Sequence, residues 1–90
     1  MENDKLRGKH LAKLRKRKGL KQSDLANLLH YSDKNISKWE TGKSFPSDPD
    51  ILNNLANVLE VSVEELIYGF KDNEIYDKND YLNVLKTIFS

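Results

Sequence analysis

The sequence QSDLANLLHYSDKNISKWET occupies residues 22–41 and contains two short segments in which apolar side chains recur at helical spacing. The first segment covers residues 22–29, and the second covers residues 33–40. Ser32 stands just before the second segment, where a hydroxyl caps a helix N-terminus, and Gly42 follows it as a helix stop. The sequence therefore predicts two helices of about two turns each, joined by a very short turn.

Two helices this short and this tightly joined cross at a steep angle and form a helix-turn-helix unit. The unit cannot bury a core by itself, so other helices must supply one. The further helices that the sequence predicts are residues 4–18 ending at Gly19, a helix opened by Asp48-Pro49, and residues 63–68 between a Ser62–Glu65 capping box and Gly69. Strand-like alternation is nearly absent, and we expect an all-α, five-helix domain over residues 4–70.

The apolar residues of these helices are spaced to share one core. They are Leu6, Leu11, Leu14, Leu25, Ala26, Leu28, Leu29, Ile36, Trp39, Ile51, Leu52, Leu55, Ala56, Val58 and Leu59. Beyond the domain, residues 71–80 are polar and mostly acidic and are interpreted as a linker. Residues 81–90 regain helical spacing and predict a short amphipathic helix. That helix could serve in dimerisation, pack on its own domain, or begin a further region.

The composition excludes several classes of protein. The chain has no cysteine, which excludes disulfides and thiolate zinc sites, and its two histidines, His10 and His30, have no spacing that suggests a metal. No apolar run is long enough for a membrane span, and the N-terminus lacks a signal peptide. No nucleophile–base pair or phosphate-cradling glycine loop is visible. We expect a cytoplasmic protein that is not an enzyme and uses no cofactor, metal or small-molecule ligand.

Charge is distributed unevenly along the chain. Residues 1–45 contain 12 Lys and Arg against 5 Asp and Glu, whereas residues 46–90 contain 3 against 9. A basic half that binds a polyanion and an acidic half that faces away is one interpretation. The other interpretation is that the charges are spread unevenly over the surface without any functional consequence.

A longer pattern surrounds the helix-turn-helix unit. It consists of Leu14-Arg15-x-x-x-Gly19-Leu20-x-Gln22-x-x-Leu25-Ala26, Ser32, Ile36-Ser37-x-Trp39-Glu40-x-Gly42-Lys43, Leu55-Ala56-x-x-Leu59-x-Val61-Ser62 and Glu65-Leu66. On these residues the chain resembles the Cro-like and phage-repressor transcriptional regulators, the XRE family. The resemblance implies a lambda-repressor-like fold that binds double-stranded DNA, as a repressor and a homodimer on a two-fold operator.

The third helix is the expected recognition element, because an α-helix fits the major groove. Ile36 and Trp39 would face the core. The outward residues expected to read bases are Asp33, Lys34, Ser37 and Lys38. A lysine pair on a helix is also a common solvated surface, and Asp33 could instead favour the helix N-terminus electrostatically.

Other residues are expected to hold the DNA backbone or the fold. The expected phosphate-binding residues are Gln22, Ser32, Asn35, Lys43 and Ser44. A basic cluster of Lys13, Lys16, Arg17, Lys18 and Lys21 could contact phosphates or simply be solvated. The resemblance also implies an internal ion pair between Arg15 and Glu40.

Three features depart from the family pattern. His30 stands in the turn where glycine is usual, so it must adopt a positive φ or shift the turn. Lys21 precedes the second helix where a side-chain cap is usual, and the loop at residues 44–50 is slightly long. A protein-interaction module, such as an antitoxin or anti-repressor with DNA binding secondary, is the alternative function that stays open.

Overall fold

A computed structural model describes residues 2–70, and within that range all the regular secondary structure is helical. The five helices are α1, Glu2–Arg17; α2, Gln22–Leu29; α3, Asp33–Thr41; α4, Pro49–Leu59; and α5, Val63–Tyr68. The predicted all-α, five-helix fold is therefore confirmed. The linker and terminal helix predicted for residues 71–80 and 81–90 lie outside the described residues.

Short polar side chains begin three of the helices, at the positions that the sequence indicates. The Ser32 hydroxyl accepts a hydrogen bond from the Asn35 N–H at the start of α3 (3.4 Å). Asp48 and Ser62 accept in the same way at the starts of α4 and α5 (2.8 and 3.0 Å). Each bond satisfies a backbone N–H that has no acceptor within its own helix.

Two helices end on residues with a left-handed backbone that are not glycine. His30 ends α2 with φ 61° and ψ 38°, and its N–H and that of Tyr31 return to α2 carbonyls. The sequence required either this positive φ or a shifted turn, and the structure has the positive φ. Glu60 ends α4 in the same conformation, with φ 58°, which the sequence did not predict. Gly42 ends α3 with φ 81°, as expected of glycine.

The core lies between the helices and draws side chains from all five of them. Its most deeply buried residues are Leu11, Leu14, Leu25, Ile36, Leu55, Leu59 and Leu66. Four predicted core positions differ from the expectation. Leu6 of α1 and Ile51 and Val58 of α4 are only half-buried, and Leu28 is 55% exposed because the buried side of α2 is formed by Leu25, Ala26 and Leu29.

Helix α1 passes very close to the C-terminal end of α3. A Cβ atom added to Gly8 would lie 2.3 Å from the Trp39 carbonyl oxygen and 2.6 Å from that of Glu40. One placed on Gly42 would lie 2.6 Å from the Cα of Lys5. These two glycines let α1 and the end of α3 approach backbone to backbone, and this contact sets the position of α3.

Candidate nucleic-acid interface

Helix α3 has one side in the core and one side in solvent. Ile36 is fully buried and Trp39 nearly so, whereas Lys34 and Lys38 are exposed one turn apart on the other side. Ser37 lies half-buried between them. The predicted inward positions are confirmed. The two ammonium groups therefore stand on a rigid helix whose rotation is fixed by the buried pair.

Asp33 and Asn35 complete the N-terminal turn of α3. Asp33 is exposed in the first turn, where a carboxylate interacts favourably with the helix dipole. Asn35 is half-buried, and its N–H is the donor to Ser32. Polar groups that can form hydrogen bonds thus surround the N-terminal end of α3, which is the end expected to contact bases.

Tyr31, in the turn between α2 and α3, was not singled out from the sequence. Its ring packs edge-on against Trp39, with 5.6 Å between the ring centroids and 67° between the planes. At the other end of α3, the Thr41 hydroxyl donates to the Ser37 carbonyl (2.8 Å). An aromatic residue in a three-residue linker was the available sign that this turn has a packing partner.

A buried charge network joins α1, α2 and α3. Arg15 donates to both carboxylate oxygens of Glu40, from Nε to Oε2 (2.6 Å) and from Nη2 to Oε1 (3.0 Å). Its remaining Nη1 donates to the Leu20 carbonyl, in the connection to α2 (2.7 Å). Donating these hydrogen bonds to Glu40 raises the pKa of the Arg15 guanidinium, with burial opposing the effect and coulombic attraction to Glu40 adding to it. The structure thus brings together the two residues that the resemblance pairs.

Gln22 belongs to the same network. Its side-chain Nε2 donates to Oε1 of Glu40 (3.0 Å), so the amide lies between the first turn of α2 and the last turn of α3. The sequence assigned this side chain to a phosphate. In the protein without DNA it instead holds the two helices of the unit together, which the sequence did not indicate.

The start of α2 is capped from within the helix. The Lys21 N–H donates to a carboxylate oxygen of Asp24 (2.8 Å), which is the half of a capping box that does not depend on the Lys21 side chain. Beyond α3, Lys43 and Ser44 are exposed, and their N–H groups both reach the Lys38 carbonyl (3.0 and 3.4 Å). The backbone that carries these two expected phosphate contacts is therefore fixed to α3.

Comparison with known proteins agrees with this geometry. A family described as a helix-turn-helix domain matches residues 8–66. The chain belongs to this helix-turn-helix family. One relative is the HTH-type transcriptional activator BcrR of Enterococcus faecalis, which is 39% identical over 59 residues. That alignment covers 66% of this chain but only 28% of the relative.

The basic cluster of the helix-turn-helix domain is not uniform. Lys13, Lys16 and Arg17 are exposed on α1, as is Lys21 ahead of α2. Lys18 instead binds Glu60, with Nζ 2.5 Å from Oε2. The hydrogen bond from Lys18, and then its charge, lower the pKa of the Glu60 carboxyl. This ion pair joins the end of α1 to the end of α4.

The side of the helix-turn-helix domain formed by α1 and α5 has a second polar cluster. Arg7 donates from Nε to the Ile67 carbonyl (3.1 Å), and its guanidinium lies 5.8 Å from the ring centroids of both Tyr68 and Phe70. His10 is buried, with Nε2 3.4 Å from a carboxylate oxygen of Glu65. These contacts hold α5 against α1, and no sequence pattern had assigned a role to Arg7 or His10.

Among residues 2–70, no group of three or more His, Cys, Asp or Glu side chains could hold a metal ion. No helix in that range is both long and apolar enough to cross a membrane.

Proposed function

We propose that α3 enters the major groove of double-stranded DNA and that the chain regulates transcription by binding a specific sequence. The observation that carries this proposal is the exposed pair Lys34 and Lys38 on a helix held from behind by Ile36 and Trp39. The major groove is about 12 Å wide and admits one α-helix. The family match and the name of the Enterococcus faecalis relative, a transcriptional activator, support the same function.

In this proposal the exposed residues of α3 read base edges. Lys34 and Lys38 donate to guanine O6 and N7, Ser37 adds a short hydroxyl, and Asp33 accepts from a cytosine amino group. The residues proposed to contact phosphates are Gln22, Ser32, Asn35, Lys43 and Ser44. Such contacts fix orientation and affinity, whereas the base contacts provide sequence preference.

We further propose that the chain is a Cro-like regulator of the XRE family that binds a two-fold operator as a homodimer. Two recognition helices then read half-sites about 34 Å apart. A dimer over a promoter blocks polymerase, and repression is the proposed outcome. The relative named above is an activator, so the direction of regulation needs its own test. In a reporter assay with the operator placed at a promoter, repression supports the proposed outcome and activation contradicts it.

The first test selects bound duplexes from a random DNA pool and then measures affinity in a salt series. We expect the logarithm of affinity to fall linearly with the logarithm of salt, by about 0.9 per phosphate contact. The selected sequence should bind at least about 10³-fold more tightly than random DNA, and it should have two-fold symmetry. Salt-insensitive or absent binding would contradict the proposal and favour a protein-interaction module.

Two variants separate the proposed roles within the site. Lys38→Ala should weaken binding to the selected sequence more than to random DNA, because it removes a base contact. Lys43→Ala is the matched control and should weaken both by the same factor, with a salt slope smaller by about 1. Equal losses for Lys38→Ala would make Lys38 a phosphate contact and not a reader of bases.

A further inference from the structure

The outer face of α1 has a row of lysines that the proposed function does not use. Lys5, Lys9, Lys13 and Lys16 are all exposed. Because successive helical residues are about 100° apart, the four lie within an arc of about 80° and extend over about 16 Å of the helix axis. We call these four residues the lysine stripe.

Within the part of the chain that the structure describes, the stripe is not neutralised by ion pairs. Among residues 3–70, none of its lysines forms an ion pair with a carboxylate. Asp4, on the same helix, lies beside Arg7 (3.5 Å), and the nearby Lys18 is bound to Glu60. Four lysines on one helix face attract a polyanion, and their linear arrangement matches the linear charge of a nucleic-acid backbone.

The stripe begins where the proposed DNA-binding surface ends. Lys5 lies against Gly42, the residue that ends α3, as the 2.6 Å separation between the Lys5 Cα and a Cβ built on Gly42 shows. Lys43 follows directly and is exposed. Lys5, at the first end of the stripe, and Lys43 therefore both lie at the C-terminal end of α3.

We propose that the lysine stripe binds the phosphate backbone of double-stranded DNA that flanks the sequence read by α3. This inference rests on the proposed function and extends it. A length of about 16 Å corresponds to about five base pairs of duplex. The stripe adds affinity without sequence preference, because lysines that meet only phosphates carry no base information.

DNA fits this face better than other anionic partners. A helix that inserts into a membrane surface needs large apolar residues beside its basic ones, and the exposed face of α1 has lysines instead. The acidic surface of a second copy is the remaining candidate, because residues 46–70 contain five Asp and Glu and no Lys or Arg. A contact between copies made of charges alone is weak in salt, so the denser charge of DNA is the favoured partner.

The experiment compares three duplexes with the full chain. One contains only the selected sequence, one adds ten random base pairs at each end, and the third has the same length without the selected sequence. The third corrects for the additional non-specific sites on longer DNA. We expect the flanked duplex to bind about tenfold more tightly than the short one at low salt, with a steeper salt dependence.

The variant K5Q/K9Q/K13Q should lose that gain while its affinity for the short duplex stays unchanged. Its salt slope on the flanked duplex should fall by about 2–3, as expected for three lost phosphate contacts. The matched control is K71Q/K78Q/K86Q, which removes the same charge outside the described domain and should keep the gain. Thermal unfolding confirms that both variants fold.

The outcomes are distinguishable. A flank-dependent gain that persists in K5Q/K9Q/K13Q, or an equal loss on the short duplex, overturns the inference. The inference is also overturned if K5Q/K9Q/K13Q leaves DNA binding unchanged and alters only the sedimentation of the free protein. The stripe would then be a contact between two copies of the chain. If the wild-type chain prefers the selected sequence but binds the short and flanked duplexes equally well, only this inference fails and the proposed function stands. If it does not prefer the selected sequence, the proposed function fails.

Discussion

The side-chain amide of Gln22 donates a hydrogen bond to Oε1 of Glu40 (3.0 Å), and the same oxygen accepts from Arg15. One carboxylate near the end of α3 thus fixes the start of α2 and the last turn of α1. Because the two helices of the unit present different groups to DNA, their relative position determines which contacts can form together. Glu40 therefore affects DNA binding indirectly, by fixing the position of α2 relative to α3.

Gln22 and Glu40 should therefore act as a coupled pair. We expect Gln22→Ala to lower the free energy of unfolding by about 1 kcal/mol without DNA, because the bond is made within the free protein. In a double-mutant cycle with Glu40→Gln, the losses in DNA affinity should be clearly non-additive. Urea unfolding and a binding titration measure the two effects. Additive losses in DNA affinity with unchanged stability would mean that Gln22 acts only through a direct phosphate contact.

Glu40→Gln should cost about 3–5 kcal/mol of stability, measured by urea unfolding at neutral pH. The substitution removes the negative charge but keeps the shape, and it leaves the buried guanidinium of Arg15 without its counter-ion. The control is Glu64→Gln, an exposed glutamate of α5, which should change stability by less than about 0.5 kcal/mol. If Glu40→Gln and Glu64→Gln were equally stable, the structural role assigned to the Arg15–Glu40 pair would be wrong.

His30 should be replaceable by glycine with a gain in stability. A left-handed backbone costs an L-residue about 1–2 kcal/mol, and glycine avoids that cost while losing some chain entropy. We expect His30→Gly to raise the free energy of unfolding by about 0.5–1 kcal/mol. His30→Val is the contrasting variant and should lower it, because a branched Cβ fits this backbone poorly. Thermal unfolding that ranked valine above glycine would contradict the strain argument.

The Lys18–Glu60 pair predicts a small acid sensitivity. Because Lys18 lowers the pKa of Glu60 in the folded protein, the stabilisation is complete above the ordinary glutamate pKa of about 4.3. It is lost as the pH falls through the lower folded value. The stability difference between the wild-type chain and Glu60→Gln should therefore be present at neutral pH and vanish in acid. Unfolding measured across this range checks the sign, and a difference that grew on acidification would contradict it.

Local signals predicted the helices well, because each depends on neighbouring residues. Ser32, Asp48 and Gly42 mark helix ends by their own side-chain or backbone chemistry, and the structure has helix ends there. The left-handed backbone of Glu60 had no such signal, since glutamate is not a residue that favours it.

Contacts between helices were harder to infer. The resemblance supplied the Arg15–Glu40 pair, but the bond from Gln22 depends on how α2 is rotated against α3, which no single-helix pattern contains. Gly8 did have a signal. Glycine within a helix costs about 1 kcal/mol relative to alanine, so a glycine in the middle of α1 indicates a close packing partner.

Gly8→Ala tests whether that close approach positions α3. The added methyl group would lie 2.3 Å from the Trp39 carbonyl oxygen, a backbone atom that can move only with α3. We expect overpacking to cost about 1–3 kcal/mol, which outweighs the helix propensity that alanine gains. Binding to the selected DNA should weaken more than binding to random DNA, because a displaced α3 misaligns base contacts before phosphate contacts.

The control for this variant is Asn3→Ala, on an exposed position of the same helix. It gains helix propensity without a clash and should be neutral or slightly stabilising, opposite in sign to Gly8→Ala. Unfolding and paired DNA titrations on both variants separate the clash from propensity. If Gly8→Ala were as stable as Asn3→Ala and kept its preference for the selected sequence, the approach of α1 would not set the position of α3, and the Arg15–Glu40–Gln22 network would have to do so alone.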